Sequence, residues 1–342
     1  MTATLRVGLA GLGSMGRNHV RVISTHPETA LAAVADPEAA ALEATTASTG
    51  ARGWSDPLAM IAEAELDAVV LAAPTTAHVP LALAAIERRI PVLVEKPLAA
   101  TNAEAQSIVE AGRAAGVPVQ VGHVERYNPA VLKLGSLLRE GWLTTIYAIM
   151  SRRAGPFPAR IRDVGVTVDL ATHDADMLSW IAGERPTRVY AELAQRKHAS
   201  HEDLLFGLLH FPSGASGMLD VNWLTPAKRR QLVVIGEEGM FELDYLTQRL
   251  TFTKSDLAHP ELIAGYAPTF AGDVAEIPVE THEPLKAQLD AFVNTVRTGD
   301  RPYVDGEDGA WAVRIANALL EAASSGRPVA LGAEATRAED PA

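Results

Sequence analysis

Through its first 120 residues the chain alternates short, mainly apolar runs with longer alanine-rich stretches of helical period. The runs fall at 5–10, 31–35, 68–73, 91–94 and 117–121, and the periodic stretches at 15–25, 37–49, 77–89 and 103–115. A short apolar run with little polar alternation is how a strand buried on both faces reads. Strand and helix in alternation predict a doubly wound α/β arrangement, a parallel sheet with helices on both sides. The helix at 103–115 is well punctuated: Thr101 can cap it, Glu104 follows three residues on, and Gly116 can close it.

After about residue 125 the texture changes. Helical periodicity is found at 129–139 and 168–181, and extended segments at 144–153, 187–196, 204–211, 216–223, 231–235 and 249–253. Turn signals at 212–214 and 236–239 separate several of these. The pattern predicts an α+β unit with an antiparallel sheet and few helices. Residues 284–325 return to helix, with one segment ending before Gly299 and another before Gly326. The expected organisation is a first domain over 1–124, a second over 125–332 and a polar tail at 333–342, with a late helix able to pack back on the first domain.

Composition narrows the chemistry. The 342 residues include no cysteine, which excludes disulfides, thiolate catalysis and cysteine-ligated metal. A net charge of −12 repels phosphate backbones, so no nucleic-acid partner is expected. Apolar stretches such as 66–73 are far short of a membrane span, so no membrane partner is expected either. The opening MTATLRVGLAGLGSMG places glycines and an arginine where a signal peptide needs an unbroken apolar core. A cytoplasmic protein is the expectation.

The clearest motif is GLGSMG at 11–16, after a predicted strand and opening a predicted helix. Gly11 allows a tight turn, Gly13 lets backbone approach a pyrophosphate, and Gly16 permits close helix–strand packing. The next strand ends at Asp36, 20 residues beyond Gly16, where a carboxylate can accept both hydroxyls of an adenosine ribose. It would repel a 2′-phosphate, so NAD is expected rather than NADP. A ligand-free glycine turn and a helix cap at Asp36 are the plainer readings.

Lys96 follows the run at 91–94 directly, at the strand end that faces the ligand crevice in a doubly wound sheet. A cation there can polarise a reacting oxygen; the plainer reading is a surface charge. In VDLATHDADML, spacings of four and seven place Asp169, His173 and Asp176 on one helix face. A histidine one turn from a carboxylate can serve as a general base. The alternatives are a surface cluster or a metal pair; with no HExxH spacing, no metal is expected. Arg153, Arg160 and Arg162 cluster just before this helix, and guanidinium groups suit a phosphorylated ligand unless they are merely solvated. Tyr127 and Asn128 can meet ligand hydroxyls, while Arg126 can instead form a structural ion pair. Trp180, Trp223 and Trp311 read as core.

GLGSMG, VLAAPTTAH, LVEKPLA, VGHVERYNP and VDLATHDADML, in that order, resemble the Gfo/Idh/MocA family of sugar and inositol oxidoreductases across residues 5–331. The resemblance implies an N-terminal Rossmann domain and a C-terminal domain with a large, mostly antiparallel sheet, often the site of oligomer formation. A dimer or tetramer is therefore expected. It implies hydride transfer between NAD and a secondary sugar hydroxyl, with Lys96, Asp169 and His173 catalytic. Cofactor contacts are implied for Gly11, Gly13, Ser14, Met15, Gly16, Asp36, Pro74, Thr75, His78, Glu95 and Lys96. Substrate contacts are implied for Arg126, Tyr127, Asn128, Arg153, Arg160, Arg162, Asp169 and His173. The lead at 164–167 is less glycine-rich than is usual in the family. The segments at 153–163 and 244–248, with GHVERYNP, are similar to the branch acting at C3 of UDP-N-acetylglucosamine. Inositol, free-aldose or sugar-6-phosphate dehydrogenases, an NAD-dependent glycosidase and a non-enzymatic NAD sensor are the alternatives.

Overall fold

The computed structural model describes residues 3–158, 164–255 and 274–332. The chain forms two compact units, Met1–Tyr127 with Glu283–Arg314, and Asn128–His282 with Ile315–Ala342.

The first unit opens with β1 (Leu5–Ala10), α1 (Ser14–Thr25), β2 (Thr29–Ala35), α2 (Ala39–Thr49), β3 (Arg52–Trp54) and α3 (Pro57–Glu63). It continues through β4 (Ala68–Leu71), α4 (Thr75–Glu87), β5 (Val92–Val94), α5 (Asn102–Ala115) and β6 (Val119–Val121). The strands pair in the order β3-β2-β1-β4-β5-β6, all parallel. Chain order reverses between β1 and β4, the switch point at which such sheets bind ligands. As expected of strands covered on both sides, their side chains enter two cores. Val7, Leu9, Val70 and Leu93 pack on one face with Val22 and Ile23 of α1. Val69, Leu71, Val92 and Val94 pack on the other with Met60, Leu81, Ala85 and Ile108. The capping box of α5 forms as predicted: the Glu104 N–H donates to Thr101 Oγ1 and the Thr101 N–H to Glu104 Oε2.

The second unit contains α6 (Pro129–Arg139), β7 (Ile146–Ala154), a π-helical turn at Thr167–Ala171 and α7 (Thr172–Ala182). Strands β8 (Arg188–Ala194), β9 (Leu204–His210), β10 (Ser216–Asn222), β11 (Arg229–Gly236), β12 (Gly239–Asp244), β13 (Arg249–Lys254) and β14 (Val274–Ile277) follow. Last come α8 (Pro284–Thr298), which belongs to the first unit, then α9 (Gly306–Ser325) and β15 (Val329–Ala330). The nine-stranded sheet runs β14-β13-β12-β11-β7-β10-β9-β8-β15 and is antiparallel except at the β7–β10 pair. One face is core, through Ile149, Leu205, Leu219, Leu232 and Phe241. Helix α7 covers part of it, for a Cβ at Gly217 would stand 2.8 Å from Leu178. The other face carries exposed Phe206, Leu208 and Met218.

Candidate active site

The glycine loop joins β1 to α1 at the switch point. Gly11 takes φ +93°, a left-handed conformation, and a Cβ there would lie 2.6 Å from the Ala72 backbone after β4. A Cβ at Gly16 would fall 2.0 Å from the Gly11 carbonyl oxygen, so the helix packs against its own entry turn. Gly13 differs: a Cβ there would meet nothing within 4 Å. The protein's packing does not require glycine at 13, but a backbone-hugging ligand does. Gly13 is also the N-cap of α1 and supplies no side-chain acceptor to the first turn. Uncapped N–H groups beside open space are what a pyrophosphate occupies, with exposed Ser14 and half-buried Met15 at its edge.

Asp36 ends β2 and braces this loop: Oδ2 accepts from the Leu12 N–H at 2.6 Å and Oδ1 from the Glu38 N–H at 2.8 Å. It is half-buried, and each carboxylate oxygen has a further lone pair for a ribose hydroxyl. This donor and acceptor set fits a dinucleotide. Pro74 is the exposed N-cap of α4, and Thr75 begins that helix.

His78 does not offer its polar atoms to a ligand. The ring is 1% exposed, with Nδ1 2.9 Å from Pro97 O and Nε2 2.9 Å from Ala73 O. Burial holds it below its ordinary pKa, against the raising effect of the two carbonyls. It lies between the loop after β4 and the loop after β5, and the neutral ring donates its one N–H to one of these two carbonyls.

Glu95 and Lys96 follow β5. Lys96 is half-buried at the strand end, as the sequence predicts. Glu95 turns inward, with Oε1 2.8 Å from His19 Nε2, and Oε2 accepts from the Lys96 N–H at 3.3 Å. A Cβ at Gly122 would sit 2.8 Å from that carboxylate, so glycine at 122 makes its berth. Sequence reasoning passed over His19, although it lies three residues past Gly16 on the buried face of α1.

In the second unit Asp169 and His173 are both half-buried. The continuous helix predicted over 168–181 is corrected at its start: Thr167–Ala171 is π-helical, and α7 begins at Thr172. Asp176 is buried, whereas Asp169 and His173 are half-buried. Glu202 holds the entry, accepting the Thr167 N–H on Oε1 and the Val166 N–H on its carbonyl. A Cβ at Gly165 would fall 2.1 Å from that Oε1, so the one glycine left in this lead is the one Glu202 needs.

Four residues expected at the substrate have internal partners. Arg153 is 4% exposed; its Nε donates to Asp174 Oδ2 at 2.8 Å, and its guanidinium lies 5.4 Å from the Tyr245 ring centroid. Ser151 Oγ donates to the other oxygen of Asp174. Strand parity explains this: residue 153 points the same way as core Ile149 and Ser151. Asn128 caps α6 by accepting the Ala130 N–H and donates to Tyr245 O, which engages both ends of its amide. In the first unit Arg126 is buried 3.9 Å from Asp308, and Tyr127 stacks edge-on against Tyr303. Arg160 and Arg162 lie outside the described residues. Trp223 and Trp311 are core, while Trp180 is half-buried against Gly135.

The strand order, the glycine loop and the strand-end acid define a dinucleotide-binding oxidoreductase fold with a second, sheet-based unit. Comparison with known proteins places it further. The family description "Oxidoreductase family, NAD-binding Rossmann fold" matches residues 5–123, and the "GFO/IDH/MocA C-terminal domain" matches residues 131–242. The chain belongs to the Gfo/Idh/MocA family, and its first unit is an NAD-binding Rossmann domain. It is 29% identical over 334 residues to inositol 2-dehydrogenase 2 of Saccharopolyspora erythraea, covering 94% of each chain. It is 24% identical over 306 residues to the UDP-N-acetylglucosamine 3-dehydrogenase of Acidithiobacillus ferrooxidans, covering 89% of this chain and 93% of that one. Among solved structures, the WlbA dehydrogenase of Bordetella pertussis in complex with NADH and UDP-GlcNAcA superposes with a TM-score of 0.80 at 25% identity. That likeness covers 97% of this chain and all of the other. No described helix is long and apolar enough to cross a membrane.

Proposed function

We propose that the protein catalyses NAD-dependent oxidation of a secondary hydroxyl on a six-membered ring to the ketone, with Lys96, Asp169 and His173 as its catalytic residues. Gly11, Gly13, Ser14, Met15, Gly16 and Asp36 hold the dinucleotide, whose bound form supplies the hydride acceptor. His173 and Lys96 divide the remaining work: one takes the hydroxyl proton and the other stabilises alkoxide character on the reacting oxygen. Asp169 orients the ring or the imidazole. The observation that carries the reading is the half-buried lysine at the β5 end of a sheet whose switch point is built for a dinucleotide.

For the substrate, the internal pairing of Arg153 weighs most. With that guanidinium engaged by Asp174, the case for a phosphate site rests on Arg160 and Arg162 alone. A free cyclic polyol of the inositol class becomes the first reading, in line with the relative that shares 29% identity. UDP-N-acetylglucosamine is the second, supported by the WlbA likeness at 25% identity. NADH formation from NAD across myo-inositol, scyllo-inositol, glucose, glucose 6-phosphate, UDP-glucose and UDP-N-acetylglucosamine decides between them. Turnover of an inositol is expected; turnover of UDP-N-acetylglucosamine alone would restore the nucleotide-sugar reading, and retained cofactor without net NADH would argue for a glycosidase. The exposed Phe206, Leu208 and Met218 on the outer sheet face support the expected homo-oligomer.

A further inference from the structure

Two buried histidines touch the residues on either side of Lys96, and neither has a part in the chemistry proposed above. His19 sits on α1, is 1% exposed, and brings Nε2 within 2.8 Å of Glu95 Oε1. Its other nitrogen, Nδ1, is buried and meets no hydrogen-bonding partner among the described residues. A carboxylate oxygen accepts, so Nε2 carries the proton. The Nε2–H donates to Glu95 Oε1. The second oxygen of Glu95 accepts the Lys96 N–H at 3.3 Å. Beyond Lys96, the Pro97 carbonyl faces His78, which also faces the Ala73 carbonyl.

The arrangement is one-directional in a way that a general core contact is not. Among the described residues the one polar bond of His19 goes to the residue before Lys96, and that residue's second oxygen accepts from the main chain of Lys96 itself. Gly122 forgoes a side chain so that the carboxylate fits there, since a Cβ would stand 2.8 Å from Oε2. A buried carboxylate with a single side-chain partner is a poor way to stabilise a core, and apolar residues of similar volume do as well or better. It is a good way to fix the direction in which a strand end presents its next side chain.

We infer that His19 is a positioning residue for Lys96: it fixes the Glu95 carboxylate, and through that carboxylate's bond to the Lys96 N–H it sets where the lysine amine points. His78 braces the same segment from its far side. The inference rests on the reading that Lys96 acts on the reacting oxygen. It also adds something that reading lacks, a direct bond from the helix that opens at the glycine loop to the segment that carries the lysine.

The test compares His19→Leu with His19→Gln, whose amide nitrogen can restore a donor near the position of Nε2. Three quantities are measured: kcat against KM on the substrate turned over in the panel, NADH affinity by fluorescence, and the rate at which an amine-reactive probe labels Lys96, read by peptide mass spectrometry. For His19→Leu the expected result is a fall in kcat of about 100-fold, the scale of a misplacement near 1 Å. KM and NADH affinity stay within about threefold, and Lys96 labelling changes by about threefold or more. His19→Gln returns kcat to within about tenfold of wild type. A folded His19→Leu variant with wild-type kcat and wild-type labelling overturns the inference. So does a His19→Gln variant as impaired as His19→Leu with labelling unchanged in both. Should His19→Leu not fold, Glu95→Gln weakens the same two bonds, and wild-type kcat and labelling there overturn it equally. Lys96→Ala separates the two ideas: wild-type turnover in that variant defeats the catalytic reading, whereas the labelling rate still reports whether His19 fixes the lysine.

Discussion

The two segments that carry the candidate catalytic groups are held by different physics. Lys96 stands at the end of a parallel strand and is braced by imidazoles, His19 through Glu95 and His78 through Pro97. Asp169 and His173 stand on a helical segment whose first turn is π-helical. Glu202 holds its entry, and a buried ion pair, Arg153 to Asp174, anchors it one residue past His173. The first arrangement suits an element already rigid by its place in a six-stranded sheet, where small polar bonds need only trim direction. The second suits an irregular helix start on the face of an open sheet, where a strong, costly anchor must make up for weak local propensity. Irregular helical geometry of this kind recurs at functional sites.

That contrast is broken most severely at Arg153. Replacing it by Met leaves the Asp174 carboxylate fully buried with Ser151 as its remaining side-chain partner, and the expected loss is about 3–5 kcal/mol of unfolding free energy. Urea denaturation measures this, and the double variant Arg153→Met, Asp174→Leu is expected to recover most of it. A loss under about 1 kcal/mol, typical of a solvated arginine, would show that the pair is no anchor. A smaller effect is expected at Asn128, where Ala removes both the α6 cap and the bond to Tyr245 O at a cost of about 1–2 kcal/mol by the same method.

The smallest concerns His78 and pH. Burial lowers its pKa below the ordinary 6.5, so the unfolded chain binds the proton first as pH falls. The stability of the neutral, buried ring is present in full above pH 6.5 and is lost as pH drops towards the folded value. Between pH 7.5 and 5.5 the wild-type Tm should therefore fall more steeply than that of His78→Gln, with His78 contributing at most about 1.4 kcal/mol per pH unit. Parallel slopes for the two proteins would remove His78 from the account.

The first unit was legible in the sequence because its strands are buried on both faces and read as unbroken apolar runs. The run at 5–10 and the capping box at Thr101 and Glu104 appear where they were predicted. The strand at 52–54 and the helix at 57–63 were missed: three residues carry no periodicity, although Asp56 capping a helix with Pro57 at its first position was a readable signal. In the second unit the strand at 239–244 was passed over in favour of Asp244–Gln248 as a motif. That segment is a turn, with Asp244 Oδ1 accepting the N–H groups of Leu246 and Thr247 and Gln248 at φ +56°. The π-helical start could not be read from spacing, because a period count assumes the α register. The burial of Arg153 could have been, since it shares parity with Ile149, but charge invites a surface reading until a partner 21 residues away is known. His19 was hidden for the same reason, its Glu95 partner lying 76 residues away.

The most direct test of the central claim is single-turnover NADH formation by wild type and Lys96→Ala, at saturating NAD and with the ring hydroxyl substrate found in the panel. The account predicts a rate reduced by about 10²–10⁴-fold in the variant, with NADH affinity and Tm near wild type. Wild-type turnover by a folded Lys96→Ala protein would contradict it.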